Sequence, residues 1–210
     1  MVMVEIVQPS VVFEDEVDGE EILRRLERYA RVCYKSEDKI GPGTAVKLLT
    51  RIIKSGHESV LEHEKITVRV ICDRGVTHEL VRHRIASYSQ ESTRYCDYEA
   101  KGVRVIEPIF FVGEGKEAKY QVWLQTMNMI EAAYQKLREL GASPQEARTV
   151  LPNSLKTEII VTFNIREWRH FFRLRCSKGA HPQMRQITIP LLKQFQSRIP
   201  LLFDDIQADV

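Results

Sequence analysis

The sequence predicts an α+β fold, a single domain over residues 1–210, and three observations carry that prediction. Segments 65–72 and 157–164 have the composition of β-strands, and the first alternates apolar and polar residues. Several longer stretches repeat apolar residues at helical spacing. No internal repeat, low-complexity tract or linker divides them, and 210 residues suit one domain with a substantial core.

Taken in order, residues 3–13 are rich in β-branched side chains and read as a strand, with Pro9 marking an edge or an interruption. From Gly19 to Tyr34, residues Ile22, Leu23, Leu26, Tyr29, Ala30 and Cys33 recur at helical spacing. Gly41-Pro42-Gly43 breaks the chain, and Thr44 is placed to cap a second helix carrying Val46, Leu48, Leu49, Ile52 and Ile53. Lys65 to Cys72 sets Ile66, Val68, Val70 and Cys72 against Thr67, Arg69 and Ile71, a strand. Val76 to Arg84 reads as a short helix leading into a polar segment. Ala118 to Leu140 is a long amphipathic helix with Val122, Leu124, Met127, Ile130, Ala133, Tyr134 and Leu137 on its apolar face, closed by Gly141. Ser143-Pro144 opens a short helix, with Ser as cap and Pro in the first turn. Thr157 to Asn164 is a strand, and Arg166 to Cys176 and Met184 to Gln196 are helical.

Composition narrows the function classes. The chain is 43% apolar and 29% charged, and no apolar run approaches the ~20 residues of a membrane span. The N-terminus lacks a basic leader and soon turns acidic, so no signal peptide is read and the cytoplasm is the expected compartment. Thirty-one basic and 29 acidic residues leave a net charge of +2, which indicates neither nucleic acid nor membrane as a partner. Local clusters are a different matter: Arg82, His83, Arg84 and Arg94 lie close in sequence, as do Arg166, Arg169, His170, Arg173, Arg175 and Lys178. Concentrated cations in a near-neutral protein point to local anionic ligands. Cys33, Cys72, Cys96 and Cys176 form no close pair, so neither a redox dithiol nor a zinc knuckle is indicated. His57 and His63 are six apart rather than the four a zincin helix needs, so no metal site is expected.

The segment Arg82–Tyr95 places cationic or titratable groups at a helix end, then a stretch rich in hydroxyls and amides, then a further arginine. Guanidinium forks match phosphate oxygens bidentately, and hydroxyl and backbone N–H groups complete such a site. The charges alone fit equally well a solvated helix end with its cations at the negative pole of the dipole. Asn164-Ile165-Arg166 stands where a strand enters a helix: the pair reads either as ligand contacts or as a helix cap with a surface charge. Arg148 alone reads as an ordinary surface arginine.

The spacing Arg82-His83-Arg84, two residues, Ser87, four residues, Ser92, one residue, Arg94 resembles the signature of the flavin-dependent thymidylate synthases (the ThyX family) at all six fixed positions. The likeness extends through Ser55–His63, Ala147–Pro152 and Phe163–Arg166 to Arg175, about the middle and C-terminal two-thirds of the chain. It implies a ThyX-like fold with a mainly antiparallel sheet flanked by helices, and reductive methylation of dUMP to dTMP. FAD would be the cofactor, NADPH the reductant and methylenetetrahydrofolate the carbon donor. On the same resemblance Ser59, Arg82, His83, Arg84, Gln90, Asn164, Arg166 and His170 would contact FAD, with Glu62 beside it. Glu79, Arg82, Gln90, Glu91, Ser92, Thr93, Arg94, Arg148 and Arg175 would contact dUMP, Arg148 at the phosphate and across a subunit interface of a homotetramer. Arg175 is the expected catalytic residue, a fixed cation that stabilises charge developing on the uracil N3 and O2.

Arg175 stands nine positions after Arg166, about two and a half turns, so a regular helix presents them on opposite faces. The chain has no Pro-Cys dipeptide and no cysteine in an activated setting, which argues against a thiolate attacking uracil C6. Ser92 is read as a ligand rather than a nucleophile, because a serine hydroxyl needs an adjacent base. Cys176–Met184 departs from other members in detail, so no folate contact is assigned there, and Glu79 stands where some members carry Gln. Two other classes use the same arginines: a nucleic-acid-binding module, which would bind with a steep salt dependence, and a flavoprotein that senses or assembles without consuming dUMP.

Overall fold

A computed structural model describes residues 4–209; Met3, at the start of the first expected strand, lies outside them. That strand is divided at Pro9 into β1 (Glu5–Val7) and β2 (Ser10–Phe13). Helix α1 (Gly19–Val32) begins at Asp18, whose carboxylate accepts the Glu21 N–H. A Cβ on Gly19 would stand 2.0 Å from the Arg198 carbonyl oxygen, so only glycine admits the start of α1 at that approach. Helix α2 (Thr44–Lys54) is capped differently from expectation. Gly43, at φ +72°, holds the cap position, while Thr44 opens the helix and bonds back to Gly41 and to the Glu27 carboxylate. The glycine supplies a left-handed turn that a threonine resists.

The two strongest sequence patterns become long strands, β3 (Lys65–Asp73) and β6 (Lys156–Asn164). The four-stranded sheet has the order β2-β3-β6-β4, with β4 at Ala86–Gln90. The Arg74 N–H donates to the Leu155 carbonyl, Thr67 faces Thr162 at 2.9 Å, and the Ile165 N–H donates to the Glu64 carbonyl. Each step forward on β3 is thus a step back on β6, an antiparallel pair. A second sheet pairs β1 with β5 (Arg104–Ile106) in parallel. Between β3 and β4 lies α3 (Arg74–Leu80), capped by Asp73 and shorter than expected, so Arg82, His83 and Arg84 stand beyond its end. Helix α4 (Glu117–Glu139) buries Trp123, Met127 and Tyr134 but leaves Val122 65% exposed, against its expected inward place. The larger indole occupies the buried face one position on. Gly141, at φ +87°, ends this helix in the left-handed conformation. Helices α5 (Pro144–Ala147), α6 (Ile165–Arg175), α7 (Pro182–Arg198) and α8 (Pro200–Phe203) complete the chain.

The residues form two compact units. The first comprises the chain up to Ser10, Val70–Arg82 and Ser89–Ile159; the second comprises Val11–Arg69, His83–Tyr88 and the chain from Ile160. In the first unit the core gathers Val4, Tyr98, Val105, Trp123, Met127, Tyr134 and Leu155. In the second it is an aromatic stack: Trp168 lies 4.5 Å from Phe163 and 5.0 Å from Phe195, and Phe195 lies 4.9 Å from Phe203. Each buried large side chain contributes roughly 1.5–3 kcal/mol of transfer free energy. Rings that meet edge-on or tilted add directional contacts that fix their neighbours' orientation.

Candidate active site

In the second unit, α6 positions most of the candidate groups. Its cap is Asn164, whose Oδ1 accepts the Glu167 N–H at 2.8 Å, so the cap reading of this asparagine holds. Trp168, Phe171 and Phe172 bury one face in the aromatic core. Arg166, His170 and Arg173, spaced four and three apart, share another face, and all three line a cavity of about 500 Å³. Asn164, Glu58, Glu62 and Ile85 complete most of its wall. Arg166 reaches Glu62 at 2.6 Å. Ser59 is exposed on the same 3₁₀ turn as Glu58 and Glu62, and these two glutamates, not the serine, line the cavity.

Arg169, between these lining residues in sequence, is fully buried. Both Asp205 carboxylate oxygens accept from it at 2.8 and 2.7 Å, Glu58 accepts at 3.2 Å, and the Leu202 carbonyl completes the set. Arg173 also reaches Glu58 and Asp205, at 3.5 and 3.4 Å. The cavity rim is therefore tied to the C-terminal segment by charged hydrogen bonds.

His83 is buried, unlike its neighbour Arg84, which is exposed. Its Nδ1 lies 2.8 Å from Glu167 Oε1, and its Nε2 lies 3.3 Å from Arg175 Nε. The Arg175 N–H can only donate, so Nε2 is the acceptor and Nδ1 carries the ring proton toward Glu167. Burial holds the His83 pKa below the ordinary histidine value; Glu167 opposes this, and Arg175 and His170 push further down. The ring is neutral at pH 7. Donor atoms of His83, Glu167 and His170 lie within 4.8 Å of one another, close enough for a cation, yet both His83 nitrogens are already engaged. Tyr88 donates its hydroxyl to the His83 carbonyl at 2.6 Å. Arg175 ends α6, where the Thr188 hydroxyl of α7 donates to its carbonyl at 2.9 Å. Arg166 and Arg175 thus have different partners, in keeping with their spacing.

The first unit holds the remaining candidates. Gln90 donates to Thr77 and Thr157 at 3.1 and 3.2 Å. Glu91 turns its carboxylate inward, accepting from the buried Lys156 and from Tyr98, each at 3.0 Å. Ser92 opens a turn whose carbonyl accepts the Tyr95 and Cys96 N–H groups, and Thr93 is buried. Arg94 is exposed, lies 5.2 Å over the Tyr95 ring and donates to Gln145 of α5 at 2.9 Å. Arg148, also exposed, follows the last residue of α5, so two arginines flank that helix. Glu79 is half-buried in the last turn of α3, and Arg82 is exposed just beyond it. Sequence reasoning did not find Glu167, Lys156 or Tyr88. Glu167 and Lys156 act through partners 84 and 65 positions away, and Tyr88 through the His83 carbonyl five positions before it.

An α+β chain whose units each carry clustered arginine, amide and hydroxyl groups is equipped to hold anionic ligands. The chain matches the family described as thymidylate synthase complementing protein over residues 18–201. It is 37% identical over 183 residues to the flavin-dependent thymidylate synthase of Geobacter sulfurreducens, covering 84% of this chain and 78% of that one. Against the enzyme of the same name from Pyrococcus furiosus it is 37% identical over 177 residues, 82% and 69% of the two chains. The Mycobacterium tuberculosis enzyme is 36% identical over 217 residues, 95% and 85%. The fold is also that of a UMP/dUMP methylase, PolB from Streptomyces cacaoi, solved with 5-Br dUMP: TM-score 0.79 over 96% of each chain at 23% identity. The chain belongs to the flavin-dependent thymidylate synthase family.

Proposed function

We propose that this protein converts dUMP to dTMP by reductive methylation, with FAD as cofactor, NADPH as reductant and methylenetetrahydrofolate as carbon donor. The observation that carries the reading is the complete signature from Arg82 to Arg94 in a chain of this family. The donor set of the second unit fits FAD: Arg166 and Arg173 suit a diphosphate, and Asn164 and His170 offer hydrogen bonds beside them. A cavity of about 500 Å³ lies in the usual range of ligand clefts. A dinucleotide is longer than such a cleft, which favours a homotetramer in which another copy completes the site. Ser59, Arg82, His83, Arg84, Gln90, Asn164, Arg166 and His170 are the proposed FAD-side residues. Residues 1–210 would act as one catalytic domain in the cytoplasm, without nucleic acid or membrane. No helix of the described residues is long and apolar enough to cross a membrane.

For dUMP, Arg94 and Arg148 beside α5 would take the phosphate, with Ser92 as a hydroxyl ligand. Glu79, Arg82, Gln90, Glu91 and Thr93 would shape the rest, Glu91 and Thr93 from inward positions. Arg175 would stabilise negative charge on the uracil edge as C5 becomes nucleophilic. When bound, FAD supplies the hydride chemistry that no side chain here provides. Cysteine attack is disfavoured physically at Cys72 and Cys176: both are buried, and burial raises both thiols, away from the thiolate form.

Aerobic purification followed by an absorbance scan tests the cofactor, and tritium release from C5-labelled dUMP with NADPH and methylenetetrahydrofolate tests the reaction. A yellow protein that releases tritium is expected. A colourless protein that neither takes up FAD nor releases tritium would sink the proposal.

A further inference from the structure

Three side chains of the second unit, buried Glu167 and His83 and half-buried Arg175, form a line whose polarity runs one way. Glu167 is buried, and its carboxylate can only accept, so it orients the Nδ1–H of His83. His83 Nε2 is then left as an acceptor, and it faces the Arg175 Nε at 3.3 Å. The imidazole has little freedom to do otherwise. Phe171 meets it edge-on at 5.0 Å, Phe163 lies at 6.0 Å, and the Tyr88 hydroxyl holds its backbone carbonyl. The opposite tautomer would bring two N–H groups face to face at Arg175.

We infer that Glu167 is a positioning residue for the proposed reaction: by fixing the tautomer of His83 it holds the Arg175 guanidinium in its working orientation. The inference rests on the role proposed above for Arg175, but its geometry does not. A carboxylate is required at position 167 because an amide can donate as well as accept, so glutamine would let His83 take either tautomer. Protonation of His83 has the same effect as the wrong tautomer, since both ring nitrogens then donate and Arg175 loses its acceptor. The charged and titratable groups facing the ring are Glu167, His170 and Arg175 of α6, while Tyr88 of β4 holds the backbone carbonyl. Glu167 pulls the His83 pKa up while burial, Arg175 and His170 push it down, so Arg175 is held at neutral pH and released on acidification.

Glu167→Gln, His83→Gln and Arg175→Ala, each as intact holoenzyme, test this. Glu167→Gln is expected to keep its flavin and its KM for dUMP while kcat falls about tenfold, the equivalent of one hydrogen bond lost in the transition state. Removing the anion also lowers the His83 pKa, so the acid limb of its kcat profile should move to lower pH. His83→Gln should lose that limb, and Arg175→Ala sets the floor of activity. Independently of turnover, ¹⁵N spectra of histidine-labelled protein should show one Nδ1–H tautomer that vanishes in His83→Gln and becomes a mixture in Glu167→Gln. An Nε2–H tautomer in the unmodified protein, or unchanged kcat and acid limb in Glu167→Gln, overturns the inference. If the unmodified protein releases no tritium, the proposed reaction fails instead, and the ¹⁵N spectra still decide the tautomer.

Discussion

Replacing Asp205 by asparagine keeps the shape of the group that faces Arg169 but removes its charge and one acceptor. Arg169 is fully buried, and its guanidinium takes both Asp205 oxygens at 2.8 and 2.7 Å, with Glu58 at 3.2 Å. Stranding a buried charge with no partner costs about 3–5 kcal/mol. Glu58 remains here, and the Asp205 side chain is 45% exposed, so solvent screens part of the loss. What is left is close to one charge-assisted hydrogen bond, about 2 kcal/mol, which in a chain of this size lowers Tm by roughly 4–8 °C. Melting curves by circular dichroism at pH 7 and matched protein concentration would read it. The pH dependence supplies a second check. Burial raises the Asp205 pKa, but Arg169 and Arg173 outweigh it and hold the carboxyl below the ordinary aspartate range. A depressed folded pKa contributes stability above the unfolded value of about 3.9, lost as pH falls through the folded value. The gap between the two proteins should therefore close below about pH 4. A variant that melts with the parent at pH 7, or a gap that persists unchanged in acid, would refute the assignment of stability to this ion cluster.

Other expectations follow from the two clusters. Arg166→Ala should weaken FAD retention by about 10–100-fold, read by ultrafiltration, while the apoprotein's melting hardly changes, because the pair with Glu62 is half-exposed. Lys156→Met removes the cation between Glu91 and Glu158, at 3.0 and 3.6 Å; calorimetry should show dUMP binding weakened about tenfold, with flavin content unchanged. Iodoacetamide should label exposed Cys33 rapidly and spare buried Cys72 and Cys176 until unfolding, with the sites read by peptide mass spectrometry. Early labelling of Cys72 would contradict its burial.

The parts of the fold legible in the sequence were those with a strong period. Ile66, Val68, Val70 and Cys72 all face inward on β3, as their alternation requires. Strand β4 was hidden because Ser87 and Ser89, its exposed residues, make the segment read as a polar loop; Tyr88, between them, is part of its inward face. The β1–β5 pairing joins residues about a hundred positions apart through strands of three residues each, too short to show a period. Val122 was misplaced because helical spacing alone cannot decide between neighbouring apolar residues, and Trp123 fills the inward position. At the candidate site the arginines and the cap at Asn164 were visible from residue type and place. The partnership of His83 with Glu167 spans 84 positions, and no local pattern announces a contact of that kind.

Helix α6 carries three separate duties in eleven residues: aromatic core at Trp168, Phe171 and Phe172, cavity wall at Arg166, His170 and Arg173, and the His83 contact at Arg175. Each residue of a helix turns the next by about 100°. A single insertion or deletion after Arg166 would therefore swing every later side chain out of its compartment at once, putting charge into the aromatic stack and rings into the cavity. Substitutions along α6 can be repaired one by one, but its length cannot drift. In a library of variants this helix should tolerate exchanges at single positions and reject every change of frame within it.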